Sequence, residues 1–265
     1  MANANPIDPK HPHPRVAQGF DRLLWVHRPF VLAHIRAIRR SRPNATPAQL
    51  IVSLERRYLT AVTSGGAAVG ATAAVPAIGT GTSLALSAVE TAGFLEATAL
   101  FAQSVTEVHG IPLDDPERAR TLVMGLMLGN SGQDLLQQLA VQAGGRGSRA
   151  AYWGEFLTKN SPAPVFNMVA KRIRDAFVKR FAVTQGASVV GRLIPFGIGA
   201  VIGGTGNHLM GRRIVASSRE AFGPPPAAFP EILDVVARPP RQRRLPAIPR
   251  RRRELPPPPP PADRS

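Results

Sequence analysis

Apolar positions along this chain recur at helical spacing. Leu23, Leu24, Val26, Phe30, Val31, Ile35 and Ile38 return every three or four residues, and Arg36, Arg39 and Arg40 gather at the C-terminal end, where cations suit a helix dipole. Pro29 divides the stretch into a short lead-in and a helix starting near Arg28. Thr46-Pro47-Ala48-Gln49 predicts the next start: Thr46 caps, Pro47 suits the first turn, and Gln49 returns the capping-box bond. That helix runs through Glu55, Arg56, Arg57 and Tyr58 and stops before Pro76. A second runs from near Thr82 to His109, with Gly110 as its stop. Asp115-Pro116-Glu117 opens a helix to near Leu128, Ser131 to Asp134 opens another to near Gln142, and Tyr152 to Lys159 reads as a short one. After Ser161-Pro162-Ala163-Pro164 comes an amphipathic helix. Phe166, Val169, Ile173, Phe177 and Phe181 form its apolar face, and Lys171, Arg172, Arg174, Lys179 and Arg180 lie on the others. The last helix begins near Phe196 and ends at Gly223. No run alternates with period two, so the pattern predicts an all-α helical bundle.

Two of these helical segments stand apart. Tyr58 to Val89 carries no charged side chain and consists mostly of Ala, Gly, Thr, Ser and Val; Leu193 to Gly211 repeats the design. Each contains a Pro-Gly element that predicts a hairpin turn, Pro76 to Gly79 in the first and Pro195 to Gly197 in the second. Gly66, Gly70 and Ala74 fall four apart, as do Gly199, Gly203, Asn207 and Gly211, so each helix presents a strip without bulky side chains on one face. A helical glycine costs roughly 0.8–1 kcal/mol relative to Ala. So many of them imply a compensating close approach between helices, and the bundle is expected to be built around two glycine-rich hairpins.

The medium around these hairpins stays open at this level. Leu59 to Val75 would extend about 26 Å, slightly short of a hydrocarbon core of about 30 Å. The following helix is long enough, but Glu90 and Glu96 lie within it, and acids inside a bilayer cost a few kcal/mol each unless paired. Glu96, Gln103 and Glu107 share one helix face. Such a seam is usually solvated; the alternative is that Glu90, Glu96 or Glu107 is a buried acid, paired with an arginine such as Arg192.

The formal net charge of +16 sits largely outside the middle of the chain: residues 1–45 carry +6, residues 46–223 carry +5 and residues 224–265 carry +5. This favours an anionic partner for the ends, and a membrane surface and nucleic acid are the two classes. Fourteen of the 27 prolines follow residue 223, beside Arg241, Arg243, Arg244 and Arg250 to Arg253. Residues 224–265 therefore read as a disordered Pro/Arg-rich tail and residues 1–19 as a disordered N-terminus. Between them lie a basic helix over 20–45 and a helical domain over 46–223. Pro256 to Pro261 would suit a polyproline-binding partner. No cysteine is present, and no apolar run precedes a small-residue cleavage site near Met1, so a cleaved secretion signal is not expected.

Catalytic signatures are missing. There is no His-Glu-x-x-His, no Gly-x-Ser-x-Gly and no phosphate loop, and His34, His109 and His208 are isolated along the chain, so neither a metal nor a cofactor is expected. Lys171, Arg172, Arg174, Lys179 and Arg180 read as a solvated face over a core-packed stripe, or as a lipid-facing basic surface.

From about Ala48 to Gly223 the chain resembles the EcsC-like family, in its actinobacterial form. The resemblance rests on Pro76-Ala77-Ile78-Gly79 within the uncharged segment, on Thr106-Glu107-Val108-His109-Gly110-Ile111, and on Ile194-Pro195-Phe196-Gly197-Ile198-Gly199 continuing to Asn207. It implies a helical, membrane-associated protein, with a membrane protein or transporter as partner, since the founding relative is encoded beside an ABC transporter; the basic ends point to the cytoplasmic leaflet. Some family members carry a peptidase label without an established mechanism. His109 stands where an aromatic is common and Glu90 where an Asp is common, and no catalytic residue carries over. The leading expectation is a non-enzymatic membrane-associated accessory protein. A hydrolase using acids of the second core helix, and nucleic-acid binding through Arg241 to Arg253, are the alternatives.

Overall fold

Thr46 and Gln49 close a reciprocal capping box, the Gln49 amide donating to Thr46 Oγ1 at 3.3 Å and the Thr46 amide to Gln49 Oε1 at 3.1 Å. With Pro47 at the first position, this starts a helix that runs to Thr72. The computed structural model describes residues 23–72, 80–135, 163–191 and 198–233. They form α1 (Arg28–Ser41), α2 (Pro47–Thr72), α3 (Thr80–Val108), α4 (Pro116–Leu128), α5 (Ala163–Gly191) and α6 (Ile198–Phe222), with residues 130–135 also helical and a 3-10 turn at Glu231–Leu233. Among the described residues there is no strand, and the fold is all-α. The turns at Pro76, Gly79, Pro195 and Gly197, the helix expected over Tyr152 to Lys159, and Arg192 lie outside the described residues.

Helix ends follow local chemistry. The Asp115 carboxylate accepts from the Glu117 amide at 2.9 Å, with Pro116 in the first turn of α4. Beyond α3, Gly110 takes φ +75°, so that its amide reaches the Glu107 carbonyl and the Ile111 amide reaches that of Thr106. This Schellman closure needs the left-handed backbone that glycine adopts without strain.

α2 lies at the centre and runs antiparallel to both α3 and α6. Tyr58 meets Thr98 of α3, while Glu55 meets Arg219 and Gly66 meets Gly203 of α6. Leu50, Leu54, Leu95, Leu122, Ile173 and Ile214 are fully buried, so all five helices from α2 to α6 share one core. α1 adds Val31, Ile35 and Ile38 to it, but Phe30 is turned out to solvent at 69% exposure. α5 lays Phe166, Val169, Ile173 and Phe177 into that core, with Arg118 of α4 over the Phe166 ring at 4.4 Å.

The expected boundary at residue 223 is corrected. Residues 224–233 are packed onto the bundle: Leu233 is fully buried, Phe229 lies 3.9 Å under the Arg39 guanidinium, and Arg36 and Arg39 donate to the carbonyls of Ile232 and Leu233. Proline content alone gave the wrong expectation for this segment. Phe229 and Leu233 supply apolar anchors between the prolines, and the basic end of α1 satisfies the carbonyls.

Candidate functional site

The uncharged halves of α2 and α6 approach at backbone distance. A Cβ added to Gly66 would stand 2.6 Å from the Gly203 carbonyl oxygen and 2.6 Å from Asn207 Nδ2; one added to Gly203 would stand 2.6 Å from the Gly66 carbonyl oxygen and 3.7 Å from Gly70 Cα. Gly211 is as tight, with Leu59 and Val62 side chains at 3.0 and 3.1 Å from its ideal Cβ. Gly199 lies in the first turn of α6. Polar side chains tie the same region. Asn207 Nδ2 donates to the Val62 carbonyl at 3.2 Å and to Glu90 Oε1 at 3.1 Å, joining α6 to α2 and α3. His208 Nδ1 is 3.0 Å from Thr63 Oγ1. Tyr58 bonds Thr98 at 3.0 Å and stacks on Phe101 at 4.7 Å between centroids, and burial pushes its phenol well above the usual range.

Among the described residues the outward positions of this end are also free of charge. From the level of Tyr58 to Thr72, α2 extends about 22 Å at 1.5 Å per residue. Its outward positions are Thr60, Ala61, Ser64, Gly65, Ala68 and Ala71. α3 contributes Ala85, Ala88, Val89 and Gly93, and α6 contributes Thr205, Gly206, Leu209 and Met210. Val89 is 67% and Leu209 52% exposed. Charge returns abruptly at one level. Gly211 packs beside Tyr58 and Leu59, so in this antiparallel pair the exposed Arg56 and Arg57, just before Tyr58, lie level with the exposed Arg212 and Arg213, just after Gly211.

The three candidate acids have separate fates. Glu107 is buried and held by the Arg28 guanidinium, which also reaches Asp114 at 3.1 Å. Beside it the Gln103 amide pairs with both backbone groups of Val26, at 2.7 and 3.0 Å. The seam expected to be solvated is therefore buried over its lower half, because residues 25–28 cross it. Glu96 lies above that crossing and is exposed, which corrects its reading as a buried acid. Glu90 is half-buried against Asn207. A fourth acid, Glu55, is buried on α2 and accepts a two-point contact from Arg219 on α6, 2.7 Å at Nε. Sequence reasoning missed it, since 164 residues separate the partners.

Glu55, His109, Ser218 and Arg219 line a cleft of about 290 Å³; none of Glu90, Glu96 or Glu107 does. His109 Nδ1 lies 2.9 Å from the Val105 carbonyl, so it carries the proton and donates there, while Nε2 is buried without a partner beside Phe222. Burial lowers the imidazole pKa from 6.5 and keeps it neutral. Among the described residues no three of His, Asp and Glu gather as a metal-binding set.

The basic face of α5 is partly engaged within the fold. Arg174 pairs with Glu117 at 3.0 Å and Arg180 donates to the Leu128 carbonyl at 3.2 Å, whereas Lys171, Arg172 and Lys179 are exposed. The apolar stripe beneath them, with Phe166, Ile173 and Phe177, faces the core, so as a lipid-facing surface α5 offers charge alone. One helix among the described residues, Ala85–Val108, is long and apolar enough to cross a membrane by length and composition. Its C-terminal half contains the buried Gln103 and Glu107, so that half belongs to the protein core. No family model, curated protein or solved structure matches the chain.

Proposed function

We propose that this is a non-enzymatic protein, membrane-associated as the EcsC-like resemblance implies, and that it inserts the uncharged end of α2, α3 and α6 into the cytoplasmic leaflet. The observation that carries the proposal is the absence of charge from the described outward positions of this end, where a soluble domain surface is about one quarter to one third charged. The described part of α2 above Tyr58 reaches about 22 Å, more than one leaflet of a core about 30 Å thick. Glu90 is the acid within this end among the described residues, and its bond to Asn207 lowers the cost of taking it out of water.

Fractionation of cells expressing the full chain tests the reading. Wild type is expected in the membrane fraction, resistant to high salt and released by detergent. The double variant Val89→Asp/Leu209→Asp should become soluble. An Asp costs about 2.5–3.5 kcal/mol near a bilayer centre and less toward the headgroups, where Leu209 lies about one helical turn from Arg212, but substitutions at such exposed positions change the stability of a soluble fold by no more than about 0.5 kcal/mol. A wild type that stays soluble at low salt, or a double variant that remains as salt-resistant as wild type, overturns the proposal.

A further inference from the structure

We infer that Arg56, Arg57, Arg212 and Arg213 form a collar that binds the phosphates of anionic phospholipid headgroups and sets how deeply the uncharged end enters the leaflet. The inference rests on the membrane reading above and adds to it a site and a lipid class. Its first support is position. The antiparallel register places both arginine pairs at one level, where the outward surface changes from uncharged to charged. That is the level a headgroup layer would occupy if the end were inserted. The second support is availability. All four residues are exposed, and among the described residues none has an acid partner, whereas Arg28, Arg118, Arg120, Arg174 and Arg219 all have one. The third is shape. Arg56 also walls a shallow groove of about 590 Å³ that contains Arg42, Asn44 and Gln49 and opens just below the collar.

Charge complementarity selects the occupant. The exposed Glu96 lies near the same level on α3, since Tyr58 meets Thr98, and one acid among four arginines leaves the ring strongly cationic. A second copy meeting this ring would bring like charges together. An anionic headgroup offers phosphate oxygens to planar guanidinium forks, which bind them through paired hydrogen bonds.

The test is partition of the purified full chain onto vesicles of phosphatidylcholine alone or phosphatidylcholine with phosphatidylglycerol, read by flotation. Wild type should prefer the anionic vesicles, and Arg212→Gln/Arg213→Gln should weaken that binding about 25-fold, about fivefold for each arginine lost at the surface. Lys171→Gln/Arg172→Gln removes the same charge from α5 and should change it by less than about threefold. Arg212→Lys/Arg213→Lys keeps the charge but not the paired hydrogen bonds, so its binding should fall between wild type and the Gln variant; binding no better than that of the Gln variant would show that charge at this level does not draw the headgroups and would overturn the collar. Equal losses for the collar and α5 variants would overturn it too. Equal wild-type binding to both vesicle types would leave the membrane reading standing and remove the collar alone, while binding to neither would remove both. Retention of a DNA duplex by wild type but not by Arg212→Gln/Arg213→Gln, with no preference between vesicles, would assign the ring to nucleic acid and overturn the proposal.

Discussion

Gly65 and Gly66 are adjacent on α2, share its helical backbone, and meet entirely different surroundings. A Cβ at Gly65 has nothing within 4 Å, whereas one at Gly66 meets the Gly203 carbonyl and the Asn207 amide at 2.6 Å each. Replacing either by Ala gives the same intrinsic gain of about 0.8–1 kcal/mol, because Ala loses less backbone entropy in a helix. At Gly65 that gain stands alone, and Gly65→Ala should stabilise the protein by about that amount. At Gly66 the methyl group meets backbone on one side and a hydrogen-bonded amide on the other. Forcing α2 and α6 apart costs about 1–3 kcal/mol as overpacking. Displacing Asn207 from the Val62 carbonyl removes a hydrogen bond worth about 1 kcal/mol.

The propensity gain cancels in the comparison, so the two variants should differ by about 2–4 kcal/mol. Urea unfolding of each, followed by far-UV circular dichroism under identical conditions, measures that difference directly. Heating gives a second reading, with roughly 2–4 °C for each kcal/mol in a fold of this size. Equal midpoints for Gly65→Ala and Gly66→Ala would refute the close approach of α2 and α6, because helix propensity alone treats the two positions alike. Gly206→Ala provides the matching control on α6, where an added Cβ also meets nothing.

Two other outcomes follow from the packing. Truncating the fully buried Leu233 to Ala should cost about 2–5 kcal/mol in the same urea assay; a change below about 0.5 kcal/mol would mean that the segment from residue 224 does not dock. Stability should also fall as pH drops below 6.5, since His109 is held neutral in the fold by burial and takes up its proton more readily unfolded; His34, lowered by partial burial and then by Arg57, contributes in the same direction. His109→Phe should flatten part of that fall between about pH 7.5 and 5.5, and an unchanged slope would exclude His109 as a contributor.

What could be read from the sequence divides along the range of the interactions. Thr46 with Gln49, and Asp115 with Glu117, act over two or three residues, and their residue types announce them. Four-residue spacing placed Gly203, Asn207 and Gly211 on one face, and that face lies against α2. Burial of polar groups depended on distant chain. Gln103 and Glu107 are covered by residues 25–28, and Glu55 is neutralised by Arg219; no local pattern distinguishes these acids from the exposed Glu96. Nor did composition separate residues 224–233 from the proline-rich chain that follows, because a single Leu233 and a Phe229 decide docking while leaving the average almost unchanged.

The glycines finally divide into two groups that need different explanations. Gly66, Gly203, Gly204 and Gly211 each face a neighbouring helix so closely that a Cβ would meet it at 3.2 Å or less. Close packing accounts for these. Gly65, Gly93 and Gly206 are also inside helices of the uncharged end, yet an added Cβ at any of them meets open space. Contacts among the described residues give no reason for the cost of about 0.8–1 kcal/mol that each carries in a water-exposed helix. A soluble surface would gain stability from Ala and solubility from Lys or Glu at such positions. Inside a bilayer the balance differs: glycine is common in membrane helices, and a charge there costs more than a glycine does. The inward glycines thus explain how α2 and α6 pack, whereas the outward ones are the reason to look for lipid around them.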